Sequence, residues 1–270
     1  ITCRDWSSDV CSSDLSRMGD YLVEDLGYTR GKDFFEFAYD WRQDVRLTAR
    51  QLGQFIESLP VKPPVKIIAH SLGTLVSRYY IERLGGKDKV DRVILMGGPH
   101  FGTPNAVSSL LFGPNVLPFG IMGESLRKVI STFPTAYQIL PVYACGLDQF
   151  GQPYNFMKDS AWLSPEQKSL WQAARDFKRE LGTATSIPTT CIFGYGQKTV
   201  DKIKLNLISG GAVANSLFES KSNGDGSVPE TSAILEGADF HPVRQQHGVL
   251  FVDNDVKMRL RLELMGKPFG

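Results

Sequence analysis

The sequence predicts an α/β fold: a mostly parallel sheet, helices on both of its faces, and a cap inserted over one end. Three observations predict it. Helical and strand patterns alternate from Met18 onward. One strand runs directly into a small-x-Ser-x-Gly turn and then a helix. The rhythm breaks over residues 105–186 and then resumes. With 270 residues, 42% of them hydrophobic, the chain can bury one large core. Thirty Lys and Arg stand against 29 Asp and Glu, and no basic run stands out, which argues against nucleic acid as a partner. No apolar stretch reaches the roughly 18 residues that cross a bilayer.

Each element has its own signal. Met18, Tyr21, Leu22 and Leu26 share one face of a first helix, which Gly27 can end. Residues 34–39 read as a short aromatic strand. Val45, Leu52, Phe55, Ile56 and Leu59 mark a second amphipathic helix, stopped by Pro60, Pro63 and Pro64. Residues 65–69 read as a buried strand. Residues 72–84 read as a helix closing at Gly85-Gly86, and residues 90–96 as the next strand, followed by Gly97-Gly98-Pro99. Such alternation implies right-handed βαβ units. Residues 105–186, rich in Pro, Gly, Phe and Leu, read as the cap, with a helix over 166–181. Residues 187–195 resume the strand pattern. Val243 and residues 250–252 flank a last turn, and 256–264 form a closing helix. The core is thus expected in two parts, 16–104 and 187–270, around the cap.

Residues 5–15 read DWSSDVCSSDL. A common short-read sequencing adapter, translated in one frame, gives that string. We therefore read residues 1–15 as an artefact or a disordered tail, with authentic sequence starting near Ser16, and leave them out of the fold argument. On that reading the true N terminus, with any signal peptide, is missing, and the compartment is not legible. Of four cysteines, Cys3 and Cys11 fall in this segment. Cys145 and Cys191 have no metal-ligand spacing and read as buried thiols, with a disulfide as the alternative.

The chemistry centres on Ala69-His70-Ser71-Leu72-Gly73. A hydroxyl is a weak nucleophile and needs a base and an open approach. A sharp strand-to-helix turn offers both, and small residues two before and two after let the backbones come close. Ala69 stands where Gly is more usual. The Leu72 N–H, at the helix N-terminus, is the first oxyanion donor. These features predict an α/β-hydrolase fold with Ser71 as nucleophile. An acid and then a base should follow in the chain.

Four histidines are available. His70 reads as structural, with its side chain pointing away from a partner's position. His100 is placed near the mouth of the site. His247, before an apolar run and the last helix, is the first candidate for the base, and His241 the second. Asp225, in Gly224-Asp225-Gly226-Ser227-Val228-Pro229, is the acid candidate, against the plainer reading of a surface Asp-Gly turn. We read Asp40-Trp41-Arg42 first as a buried aromatic beside a structural ion pair, with a wall beside the acyl chain as the alternative.

The ordered set carries a family resemblance. It comprises Gly27-Tyr28 with Gly31-Lys32-Asp33, Tyr39-Asp40-Trp41-Arg42, His70-Ser71-Leu72-Gly73, Phe133-Pro134-Thr135-Ala136-Tyr137-Gln138-Ile139-Leu140-Pro141, Gly224-Asp225-Gly226-Ser227-Val228-Pro229 and His247-Gly248. Over residues 18–265 the chain resembles the lecithin:cholesterol acyltransferase-like branch of the α/β-hydrolases. The resemblance implies a Ser71, Asp225, His247 triad. It also implies acyl-ester chemistry on lipid-like substrates, with no metal or cofactor. The chain departs from the family at its front. The strand expected between residues 34–39 and 65–69, and the loop giving the second oxyanion N–H, are not seen before Met18. The sheet is therefore expected to be incomplete or mispaired there and the chain weak or inactive by itself, since one oxyanion donor is worth roughly 10²–10³ in rate.

The functional expectation is an esterase, lipase or phospholipase working through an acyl-enzyme. The alternatives are an acyltransferase, and a catalytically dead fragment or binding module. Leu110-Leu111-Phe112 and Val116-Leu117-Pro118-Phe119 could touch a lipid interface, but we read them as cap core.

Overall fold

The computed structural model describes residues 2–5, 9–113, 123–208, 211–213 and 219–265. In chain order the first half contains β1 (Thr2–Asp5), α1 (Asp9–Glu24), β2 (Glu36–Tyr39), α2 (Val45–Ser58), β3 (Val65–His70), α3 (Leu72–Arg83) and β4 (Val90–Met96). Next come α4 (Pro104–Phe112), α5 (Gly123–Ile130), α6 (Pro134–Gln138), β5 (Gly146–Leu147), β6 (Pro153–Tyr154) and α7 (Lys168–Leu181). The chain closes with β7 (Thr189–Gly194), β8 (Gln197–Lys204), β9 (Asn206–Ile208), β10 (Gly211–Val213), β11 (Glu219–Gly224), β12 (Asp239–Val243) and α8 (Asn254–Met265).

The main sheet is six-stranded and parallel throughout, in the order β12-β7-β4-β3-β1-β2. Its strands β3 and β4 are apolar on both faces over most of their length, because helices cover both. Ile67 and Ala69 of β3, with Val93 and Leu95 of β4, join the core shared with α2, α3 and α7. Ile68 of β3, with Ile94 and Met96 of β4, joins the opposite core, shared with α1 and α8. The period-two alternation of a strand thus feeds two cores at once. This three-layer sandwich is the α/β-hydrolase architecture that the sequence predicts.

Four expectations are corrected. Residues 1–15 are not simply a tail: Thr2–Asp5 occupies the slot between β2 and β3, pairing Cys3 with Phe37 and with Ala69. The slot expected to be incomplete is therefore filled. Strand pairing uses backbone N–H and C=O groups that every non-proline residue carries, so a segment without an apolar strand pattern can still make these ladder bonds. The first helix accordingly begins at Asp9, ahead of its apolar face at Met18 and Leu22. β12 was not legible as a strand; it lies at the sheet edge, where Pro242 costs no central ladder bond.

The cap is not closed on itself either. Its strands β5 and β6 belong to a four-stranded sheet of order β11-β8-β5-β6, so chain from beyond residue 187 completes it. Its core holds Leu110, Tyr137, Phe156, Trp162 and Trp171. Trp162 and Trp171 both donate their indole N–H to the Phe156 carbonyl, at 3.1 and 2.8 Å. Leu110 is buried and Leu111 packs against this core; residues 116–119 lie outside the described residues. Gln138 ties the cap to the sheet layer: its amide oxygen accepts the Val45 N–H at 2.9 Å, and its amide nitrogen donates to Asp44 at 2.9 Å. Cys145 and Cys191 are free and buried.

Candidate active site

The site is built at the C-terminal ends of β3, β4 and β7, where open parallel sheets gather ligands. Ser71 sits between β3 and α3 with φ 51° and ψ −122°, the one non-glycine residue of positive φ among the described residues. Such a conformation costs of order 1–3 kcal/mol and persists only where surroundings impose it. Here the Ser71 N–H donates to the Met96 carbonyl at 2.9 Å, and the Ser71 carbonyl accepts the Thr74 hydroxyl at 2.7 Å. The turn lifts the side chain out of the sheet. Leu72 takes the first helical position, whose N–H has no acceptor within its own helix.

His247 Nε2 lies 2.9 Å from Ser71 Oγ, and His247 Nδ1 lies 2.7 Å from Asp225 Oδ2. Ser71, His247 and Asp225 are thereby joined in one hydrogen-bonded chain, although 22 and 176 positions separate its linked members. The Asp225 side chain is buried, and its Oδ1 accepts the Ser227 and Val228 N–H groups at 2.9 and 2.7 Å. Burial pushes its pKa up. The hydrogen bond and charge of His247, with the two backbone donors, more than offset that, so Asp225 stays below its ordinary value. A carboxylate ionised beside an imidazole Nδ1 fixes the N–H there and leaves Nε2 free to accept a proton.

Two glycines make the arrangement fit. A Cβ on Gly97, which has φ 57°, would come within 3.0 Å of the His247 ring. A Cβ on Gly194 would lie 2.6 Å from the Asp225 Cβ.

The other histidines divide. His241 lies on β12, away from this chain of bonds, and its Nε2 has no partner among the described residues. His100 is not at the site mouth, as expected, but turned into the core. It is 2% exposed, with Nε2 4.0 Å from the Cys191 sulfur. Burial, then the charges of Arg78 and Lys178, hold its pKa well below the ordinary value. Proline at position 99 turns the chain into the site wall while the next side chain drops inward. His70 does not point away from a partner: its Nε2 is 2.9 Å from the His247 carbonyl oxygen, and its ring centroid is 4.8 Å from that of His247. The strand period explains this, since His70 shares the Ile68 face of β3 and the His247–Val252 turn crosses that face.

Ser71, Leu72 and His247 open onto a cavity of about 350 Å³. Its walls are mostly apolar, among them Trp41, Ile130, Ile139 and Val228. Trp41 is therefore a wall residue, the second of the two sequence readings, with its ring edge-on to Phe133 at 5.3 Å. The neighbouring Asp40–Arg42 pair is exposed; its hydrogen bond holds the Asp40 carboxyl at about 2. Residues 6–8, which follow β1, lie outside the described residues. No cluster of three metal-ligating side chains occurs among the described residues.

The chain matches the family model "Lecithin:cholesterol acyltransferase" over residues 12–217. It is similar to the "Lysosomal phospholipase A and acyltransferase" of Canis lupus familiaris, 26% identical over 234 residues, covering 73% of this chain and 54% of that one. The protein of the same description from Homo sapiens is 30% identical over 147 residues, 47% of this chain and 35% of that one. The chain thus spans about half the length, or less, of these curated relatives. Among solved structures, the Tle4–Tli4 complex is similar with a TM-score of 0.61 at 14% identity, over 83% of this chain and 66% of that one. The mature lipase BlEst2 of Bacillus licheniformis is similar with a TM-score of 0.54 at 14% identity, over 98% and 91%. At such identity the likeness is one of fold.

Proposed function

This chain belongs to the lecithin:cholesterol acyltransferase family, and from that premise we propose that it carries the acyl-transfer centre of an enzyme acting on lipid-like carboxylic esters. The observation that carries the proposal is the hydrogen-bonded chain from Asp225 through His247 to Ser71, opening onto an apolar cavity. In this reading His247 Nε2 takes the Ser71 proton as Ser71 Oγ bonds to the ester carbonyl carbon. The negative charge that develops on the carbonyl oxygen is met by the Leu72 N–H. Collapse breaks the bond to the leaving alcohol, which takes the proton back from His247 and departs. Water or a second alcohol then attacks the acyl-serine, giving its proton to His247. The acyl group leaves as a free acid or as a new ester, and Ser71 is restored. Asp225 stays ionised throughout and holds the His247 tautomer.

The curated relatives are described as a phospholipase A and acyltransferase, which favours a phospholipid or similar ester as the acyl donor and makes transfer to an alcohol the second outcome of the same acyl-enzyme. One oxyanion donor is worth roughly 10²–10³ in rate, so the test should register slow as well as fast chemistry. A fluorophosphonate should label the wild-type chain once, with the phosphonyl mass on the peptide carrying Ser71, and p-nitrophenyl ester hydrolysis should fall at least ~10³-fold in Ser71→Ala. Labelling elsewhere, or equal hydrolysis by both proteins, sinks the proposal.

A further inference from the structure

We infer that His70 is a positioning residue for the proposed base: its Nε2–H clamps the peptide carbonyl of His247 and its ring seats the His247 imidazole against Ser71. The inference rests on the acyl-transfer reading above.

The geometry is a bracket around one residue. On one side the His247 N–H donates to the Asp225 carbonyl at 2.9 Å, tying the base to the loop of the acid. On the other side the His247 carbonyl lies 2.9 Å from His70 Nε2, tying the base to the strand that carries the nucleophile. A carbonyl can only accept, so His70 must carry its proton on Nε2. The two imidazole rings meet at 4.8 Å with planes 39° apart, and Phe251 closes on His70 edge-on at 5.5 Å. His70 is 6% exposed and does not line the cavity beside Ser71. It therefore acts through His247, not on the ester.

Its electrostatics suit that place. Burial, then the neighbouring His247, hold His70 at about 3, so it is neutral wherever the site could work. When His247 becomes an imidazolium in the reaction, the ring 4.8 Å away adds no opposing positive charge. A Lys or Arg at position 70 could supply the same hydrogen bond, but with a charge beside a cation in formation. A leucine would fill the space and leave the His247 carbonyl without its donor. Glutamine keeps an N–H at nearly the reach of Nε2 but loses the ring.

The test is the kinetics of fluorophosphonate labelling of Ser71, which separates the reversible binding constant from the maximal rate. His70→Leu should lose about 10²-fold in maximal rate, as small misplacements of reacting groups do, with the binding constant within about twofold. His70→Gln should recover at least a third of the wild-type rate. Thermal midpoints report folding separately. A wild-type maximal rate in a folded His70→Leu would overturn the proposal. So would a loss confined to the binding constant, or a folded His70→Gln as slow as the leucine variant. If His70→Leu does not fold, the glutamine variant alone decides. A Ser71→Ala control still labelled like wild type would instead refute the serine reading, whatever His70 does.

Discussion

At the C-terminal end of the sheet, Ser71, His247, Asp225 and His70 all have polar partners within 2.9 Å. One layer below, under α3, the balance differs. Arg78 is 1% exposed and donates to the Gly182 and Ala184 carbonyls at 3.1 and 3.2 Å, yet its Nε and Nη1 have no partner among the described residues. His100 Nδ1 is likewise without one. Lys178 reaches the His100 carbonyl at 3.4 Å, and burial, then Arg78, lower it to about 7. Arg78 itself is lowered to about 10, chiefly by burial. The lower group joins α3 to the end of α7 without completing its hydrogen bonds; the upper group is completed and has a cavity beside it. Burial alone does not separate them, since His70 and His100 are both nearly inaccessible. What separates them is whether each polar atom is matched to another of defined role.

The contrast can be broken most sharply at Asp225. Asp225→Asn keeps an oxygen for the Ser227 and Val228 N–H groups but presents an amide to His247 Nδ1. The imidazole should then take the other tautomer, with its proton on Nε2 facing Ser71, and ester hydrolysis should fall about 10⁴-fold with little change in thermal midpoint. Hydrolysis retained within tenfold would mean that the bond at 2.7 Å orients nothing. Arg78→Ala should do the reverse. It should cost about 2–4 kcal/mol in denaturant unfolding, through lost packing and two unmatched carbonyls, while the Ser71 labelling rate per folded molecule stays within threefold. Stability within 0.5 kcal/mol of wild type, on the order of error for such measurements, would show that the incompletely paired cation contributes nothing.

The smallest effect is a slope. His70 is held at about 3, whereas an unfolded histidine titrates near about 6.5. Between those values the unfolded chain binds a proton that the folded chain refuses. The stability is full above about pH 6.5 and falls as pH drops, by up to about 1.4 kcal/mol per unit for each such histidine. His100 shifts in the same direction. Asp225, held below its ordinary value, acts only at lower pH, since its contribution is present above about 4 and lost beneath. Urea unfolding at pH 7 and 5.5 should show this decline, and His70→Gln should reduce it. Equal declines in both proteins would remove His70 from the account.

How much of this was legible depends on the sequence distance over which each feature is decided. The Ser71 turn is local: strand, small residues and helix lie within a dozen positions, and the sequence displays them. Asp225 and His247 were legible as an order in the chain, not as a distance. His70 was misread because its partner is 177 positions away and the strand face that brings them together is set by the fold. The place of Trp41 stayed open between two readings for a similar reason, because the wall opposite it comes from α5 and α6 in the cap. The Gln138 link to Asp44 and Val45 crosses more than 90 positions and leaves no local pattern. Composition and periodicity gave the layers; they could not give β1, because a strand slot is filled by backbone chemistry that sequence patterning does not encode.

The shared sheet of the cap has a practical consequence for exchanging parts among relatives. Because β5 pairs with β8, a graft of residues 105–186 alone would arrive with a strand whose partner still belongs to the host. A chimera that also carried β8 and β11 would bring that partner along, but it would take in the stretch ending at Gly224, next to Asp225. The cap and the loop that carries the proposed acid are therefore joined through one sheet, and a graft that keeps β5 paired would carry the segment leading into Asp225 with it.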